Sequence, residues 1–249
     1  MKQCIKLFVL LVFTCTFVGC IDFKEKIDLN KDGSGAYEFT MDLSGMFGAM
    51  GGMKDMFGDS EGDGEEAKTP KPEKQPEYND STYFFKDMAD SIKSKWKHPE
   101  VMNKVKGRIF VDEANQKGFN TFSFEFDDIV DIHKFWSDLD SKQLSAGGRG
   151  MGGMMGNDKQ LFYFKKGKLS RLKDTPMETG AGEKEEDMEF LKMFLGEAQY
   201  TIEYNLPSKA KKVANDKVEY SNKKRTVTQS MKLVDIINGE ADMSNTIKF

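Results

Sequence analysis

Oxygen, thioether and thiol groups are the candidates for chemistry in this sequence of 249 residues. The stretch Asp28-Leu29-Asn30-Lys31-Asp32-Gly33 matches the opening of a calcium loop, D-x-N-x-D-G. Hard Ca²⁺ takes oxygens from alternate positions of such a loop and needs a glycine at its sharp bend. Asp28, Asn30, Asp32 and Gly33 comply, but Phe39 holds the twelfth position, where a bidentate glutamate closes the site, and Glu38 stands one place short. Turn chemistry accounts for the stretch without a metal, because Asn, Asp, Ser and Gly are what a tight connection between strands demands. A plain turn is therefore expected, with Asp28, Asn30 and Asp32 as a weak calcium set. A second group is Met46, Met50, Met53 and Phe57, which fall on one helical face inside a Gly-rich run. Each interior Gly costs about 1 kcal/mol relative to Ala, so a free helix there is marginal. Three uses compete: a loop docking on its own domain, an adaptable Met surface for a protein partner or the membrane, and a thioether site for Cu(I) joined by Met151, Met154 and Met155. The histidines, His98 and His133, lie beside neither Met cluster, which counts against copper.

His133 follows Ile132 in a helical pattern, with Asp131 two places before it. Side chains one or two apart do not face each other on a helix, so no catalytic dyad follows and an exposed helix-face histidine is expected. No carboxylate pair stands in a recognisable acid–base frame. No nucleophile elbow, phosphate loop, dinucleotide fingerprint or zinc motif occurs. The sequence points to no enzyme and calls for no cofactor.

The thiols carry a location. Residues 5–18 form an apolar run of about 14 residues, too short for the roughly 20 that span a bilayer, preceded by Lys2 and containing Lys6 near its start. A basic start, a short apolar segment and a small residue before the cut describe a secretory signal peptide. The run ends in Phe17-Val18-Gly19-Cys20, which resembles the lipobox of bacterial lipoproteins, with Phe17 where Leu is commonest. The resemblance implies cleavage between Gly19 and Cys20 and acylation of Cys20. Cysteine usage fits: Cys4 and Cys15 leave with residues 1–19, and a chain left with one Cys forms no internal disulfide. Stable anchoring takes more than one acyl chain, at about 0.8 kcal/mol per buried CH₂. The membrane is thus an expected partner, through acyl chains on Cys20.

Charged residues make up 31% of the chain and apolar ones 38%, a balance that fits a solvated domain better than one embedded in lipid. The net charge is -4 and no basic patch interleaves with aromatics, so nucleic acid is not an expected partner. Twenty Phe are enough for a substantial core. Alternation predicts strands over 21–29 and 37–43 joined by a Gly-containing turn, with Glu25 breaking the apolar face. A helix is predicted from a cap at Asp80 or Ser81, with Phe85, Met88, Ala89, Ile92 and Trp96 inward, and His98-Pro99 ending it. A hairpin over 108–126 follows, then a helix capped by Asp127 or Asp128 with Ile129, Ile132, Phe135, Trp136 and Leu139 inward. A third hairpin turns at Lys166-Gly167, a helix covers 183–195, and the chain closes with strands near 200–206, 218–220 and 226–228, a short helix at 233–237 and a last strand at 246–249. Residues 44–78 and 145–158 are Gly/Met-rich or linker-like insertions in a single domain over 20–249. The fold class is α+β, a mostly antiparallel sheet built from hairpins with about three helices on one side.

A first strand beside an acylated Cys, the turn Asp32-Gly33-Ser34-Gly35, and a terminal region with Asn205-Leu206-Pro207, Asn215 and Thr226-Val227-Thr228 resemble bacterial lipoproteins of the LppM-like type, notably those of Bacteroidetes. The match lies at the two ends; the middle, with both Gly/Met insertions, departs from it. The resemblance implies a membrane-anchored α+β domain facing the periplasm and brings no catalytic residues. Residues 21–25 lack the clustered acidic signal of surface export, so a lipid anchor in the cell envelope, at the periplasmic side of the outer membrane, is expected. The expected function is a structural or partner-binding module for an envelope protein or component. Its alternatives are a carrier or sensor of an apolar ligand held in a Phe-lined concavity, and Cu(I) handling by the Met loops.

Overall fold

The computed structural model describes residues 21–45, 77–139, 160–173 and 196–249. Strand β1 (Asp22–Leu29) alternates buried and exposed side chains and pairs antiparallel with β2 (Gly35–Asp42) in unbroken register from Asp22↔Asp42 to Leu29↔Gly35. The turn between them closes on itself: the Ser34 backbone N–H and hydroxyl both donate to Asp32 Oδ1, at 3.1 and 2.8 Å, and the Asn30 side-chain amide donates to Ser34 Oγ at 3.0 Å. Gly33 has φ +97°, and a Cβ there would run into the Phe164 ring. A glycine is thus required twice over, by backbone conformation and by packing.

On its other side β2 pairs with β5 (Lys117–Phe126), which pairs with β4 (Lys106–Asp112), which pairs with β3 (Tyr78–Phe84), all antiparallel. Strand β3 departs from the expected helix. Tyr78 to Phe84 is extended, and the later apolar residues are divided between a 3₁₀ turn at Phe85–Asp87, an extended Met88, and a single helical turn, α1 (Asp90–Lys93). The apolar spacing is real, since Phe85 and Trp96 are buried and stack at 6.2 Å. The capping residues Asp80 and Ser81 instead occupy an edge strand, where alternation is not demanded. Ala89 is exposed. Pro99 does not stop a helix but opens α2 (Pro99–Met102), where a missing N–H costs nothing.

The half of the sheet beyond β1 comes from the other end of the chain. Strand β8 (Gln199–Asn205) runs parallel to β1, from Phe23↔Tyr200 to Asp28↔Asn205, and is followed outward by β11 (Thr226–Lys232) and β10 (Glu219–Ser221). The result is one eight-stranded mixed sheet, ordered β10-β11-β8-β1-β2-β5-β4-β3. The sheet is largely antiparallel, as expected, and the one parallel pair among the described strands, β1 with β8, lies outside the expectation of hairpins. A second, four-stranded sheet, ordered β6-β7-β12-β9, joins β6 (Phe162–Lys165) and β7 (Lys168–Arg171) to β12 (Asn245–Lys248) and β9 (Lys212–Val213). Its first hairpin turns where expected, with φ 50° at Lys166 and 70° at Gly167, the positive values that a two-residue hairpin turn of type I′ requires. Helix α4 (Leu233–Ile237) also falls where predicted. The helix expected over 183–195 lies outside the described residues.

The core lies under helix α3 (Val130–Leu139). Asp128 caps it, its carboxylate accepting from Val130 N at 3.0 Å, and it buries Ile132, Phe135 and Trp136. Trp136 meets Phe39 edge-on at 4.8 Å, and Phe135 packs on Phe124 at 5.1 Å and Phe122 at 6.0 Å. The Phe side chains here are packed on one another. Among these rings lies Glu25, 2% exposed. It does not break the apolar face outward but stays inside, where its Oε1 accepts from the Tyr37 hydroxyl at 2.8 Å, and that hydroxyl accepts from Trp136 Nε1 at 3.0 Å. A buried carboxyl is tolerated only when hydrogen-bonded, and this chain ties β1, β2 and α3 together. Burial first, then the adjacent Glu25, pushes the Tyr37 phenol well above its ordinary value.

Tyr37→Phe removes the hydroxyl's hydrogen bonds to two buried polar groups, Glu25 and Trp136, and is expected to cost about 1–3 kcal/mol in urea unfolding at neutral pH. The phenol is held protonated in the folded state while an unfolded tyrosine ionises near pH 10. Its contribution is therefore complete below that pH and declines above it, so the variant should also lose part of the alkaline fall in stability.

Candidate functional site

Every second residue of β1, β2, β4 and β5 points away from α3, and these make a polar face that is open among the described residues. Two cross-strand rows define its centre: Glu38–Ser123–Lys106 and Thr40–Thr121–Arg108. Together with Phe119 they line a shallow concavity of about 390 Å³. Glu38 and Lys106 are both exposed and stand two strands apart, roughly 10 Å between backbones at the usual strand spacing. Thr40 and Thr121 share a hydrogen bond at 3.1 Å. Arg108 is committed to Asp80 of β3 through two bonds of 2.9 Å and lies over the Phe119 ring at 5.1 Å. That pairing holds the exposed Asp80 carboxyl below its ordinary range. The face thus offers a carboxylate on one side, an ammonium on the other and hydroxyls between. Such a set suits binding of a polar ligand with separated charges, and it contains no histidine.

Asp28, Asn30 and Asp32 are each used internally. Asp28 Oδ1 accepts from Asn205 Nδ2 at 2.7 Å and Oδ2 meets Lys26 Nζ at 3.1 Å, while Asn30 and Asp32 close the turn through Ser34. Ser34 holds the Asp32 carboxyl below its usual range. Among the described residues no group of three His, Cys, Asp or Glu side chains is placed to hold a metal ion. Gly19, Cys20, Met46, Met50, Met53, Phe57, Met151, Met154 and Met155 lie outside the described residues.

The short motifs at the chain ends come together as structure. Asp28, Asn205 and Thr226 form one row across β1, β8 and β11, with Thr226 Oγ1 donating to Asn205 Oδ1 at 2.7 Å. Asn215 bonds the backbone carbonyls of Asp242 and Ser244 and accepts from Lys217 N, pinning the loop before β12. These residues hold the two ends of the chain in register.

A third polar group lies at the α2–α3 junction. The buried Asp138 carboxylate accepts from the backbone N–H groups of Lys97 and His98 at 2.9 and 2.8 Å. His133 is half-buried, not exposed as expected, and among the described residues its buried Nδ1 has no hydrogen-bond partner. Lys134 beside it pairs with Asp131 at 2.8 Å and Glu100 at 3.6 Å, and Glu100 lies 3.7 Å from His98 Nδ1. The helical pattern could not reveal this, because α2 and the neighbouring His98, from another part of the chain, pack against this helix. The open polar face was likewise invisible in sequence, since its rows join residues up to 85 positions apart, as in Glu38–Ser123.

Burial, and then His98, lowers the tendency of His133 to protonate. A folded value below the unfolded one near 6.5 means that its contribution is complete above that pH and is lost as pH falls below it. His133→Gln is therefore expected to reduce the acid destabilisation seen in thermal melts between pH 7 and pH 5. No protein-family model, curated protein or solved structure matches this chain.

Proposed function

We propose that this chain is an acylated lipoprotein of the bacterial envelope, anchored at Cys20 on the periplasmic side of the outer membrane, and that its domain binds a protein or polar envelope component without catalysing a reaction. The observation that carries this reading is the apolar segment 5–18 ending in Gly19-Cys20. It is supported by where that segment meets the fold, since β1 begins at Asp22 and occupies the middle of the eight-stranded sheet. Two residues reach at most about 7 Å, so an anchor at Cys20 holds the sheet against the lipid surface with almost no tether. The LppM-like resemblance belongs to the same reading.

The binding surface in this proposal is the open face around Glu38 and Lys106. Helix α3 takes the opposite face, through Phe135 and Trp136. The described residues on either side of the Met-rich segment 45–58 include Ser44, which is bonded to Gly118, and Glu77, which is bonded to Glu113. Glu113 and Gly118 flank the β4–β5 turn, beside the Phe119 end of the open face. A partner on that face would therefore be within reach of the segment.

Cys20→Ser is expected to leave the protein unprocessed or to release it from the membrane fraction on fractionation. Normal maturation with retention at the membrane would sink the anchoring claim. Glu38→Lys and Lys106→Glu reverse charges on the open face without touching the core. Each should reduce recovery of cross-linked envelope components severalfold, and deletion of residues 45–58 measures the share carried by the Met segment. Recovery unchanged by all three would remove the proposed binding surface.

A further inference from the structure

The large sheet has two edges and the small sheet two more, and three of these four are blunted. Strand β10 has three residues and runs into Lys223 and Lys224; β6 has four and carries Lys165; β9 has two and carries Lys212. Shortness and lysine are the usual devices against pairing with another chain. Strand β3 has neither. Its seven residues, Tyr78–Phe84, contain no Lys or Pro and pair with β4 without a bulge. Among the described residues no strand lies on its outer side.

Its side chains also fit a second copy of itself. Tyr78, Phe84 and the neighbouring Ile109 are 68%, 43% and 37% exposed and are three of the six large apolar side chains on the described surface. Tyr78, Asp80, Thr82 and Phe84 lie on the open polar face, with Asn79, Ser81 and Tyr83 on the other. An antiparallel copy centred on Ser81 sets Tyr78 opposite Phe84, Asp80 opposite Thr82, Asn79 opposite Tyr83, and Ser81 opposite itself. Both exposed aromatics then meet aromatics on the same face. No like charges face each other, and Asp80 is already neutralised by Arg108. Directly opposed pairs of this kind are what stabilise a sheet, and the arrangement is self-complementary, as a twofold interface must be.

We propose that two copies of this chain join edge to edge through β3, antiparallel about a twofold axis at Ser81, making one continuous sheet. The proposal rests on β3 alone and is independent of the anchor. Where Cys20 is acylated, both anchors reach one bilayer with the twofold axis along the membrane normal.

Full-length protein in detergent tests this. Opposed residues of antiparallel strands lie about 4.5–5.5 Å apart, within the span of a disulfide. Ser81→Cys should give a disulfide-linked dimer under mild oxidation beyond any formed by the parent chain or by Tyr220→Cys on the opposite edge. Ser81→Lys should halve the protein mass measured by light scattering without changing the circular dichroism spectrum. A monomeric parent, a dimer mass unchanged by Ser81→Lys, or equal cross-linking from Ser81→Cys and Tyr220→Cys would each overturn the proposal. So would a Ser81-dependent cross-link to a different protein with the parent monomeric, because β3 would then serve another partner.

Discussion

The parallel pairing of β1 with β8 is the contact on which the remaining architecture depends. It joins strands 177 positions apart, as in the bond from Gln199 N to Asp22 Oδ1 at 2.9 Å. Without it the molecule would be two separate antiparallel pieces, β1-β2-β5-β4-β3 and β8-β11-β10, each with a long unpaired edge. The entropy cost of closing so long a loop grows only with the logarithm of its length. A full strand register repays it, helped by the Asp28–Asn205–Thr226 row and the Lys24–Glu203 pair at 3.2 Å. The small sheet then docks through the buried Gln229, which accepts from Asn245 Nδ2 at 3.2 Å, and through Phe164 seated over Gly33.

The buried chain from Glu25 through Tyr37 to Trp136 sets how the helix sits on this sheet. Apolar contact alone would allow α3 to slide or rotate, because rings and aliphatic groups attract without direction. A hydrogen bond requires one position. Trp136 Nε1 reaches the Tyr37 hydroxyl only when Phe135 and Trp136 occupy the places they have between Phe39 and Phe124. A carboxyl in the middle of an aromatic core is costly to solvate poorly, and here it specifies geometry as well as contributing stability.

The two faces of the sheet are thereby given different tasks. One is filled by aromatics and covered by α3. The other keeps Glu38, Lys106 and the hydroxyls of Thr40, Thr121 and Ser123 open, with one long edge at β3. The proposed anchor at the central strand, the proposed polar binding face and the proposed self-pairing edge are compatible, because each uses a different part of the same sheet.

Local signals in the chain determined the elements whose causes are local. The hairpin turns at Gly33 and Lys166-Gly167 follow from residues that accept positive φ, the cap at Asp128 from a side chain within reach of its own helix, and α3 from apolar spacing. The apolar segment before Cys20 is equally local, which is why the anchor can be argued from the sequence alone. Tertiary structure decided what depends on distant partners. Tyr78 to Phe84 becomes a strand because β4 supplies its hydrogen bonds, despite the capping residues Asp80 and Ser81. Glu25 turns inward because Tyr37 meets it there, and β1 pairs in parallel with a strand from the far end of the chain. The open face has no signature in sequence for the same reason. Its charged and hydroxyl groups are unremarkable along each strand and become a site only when cross-strand register sets them side by side.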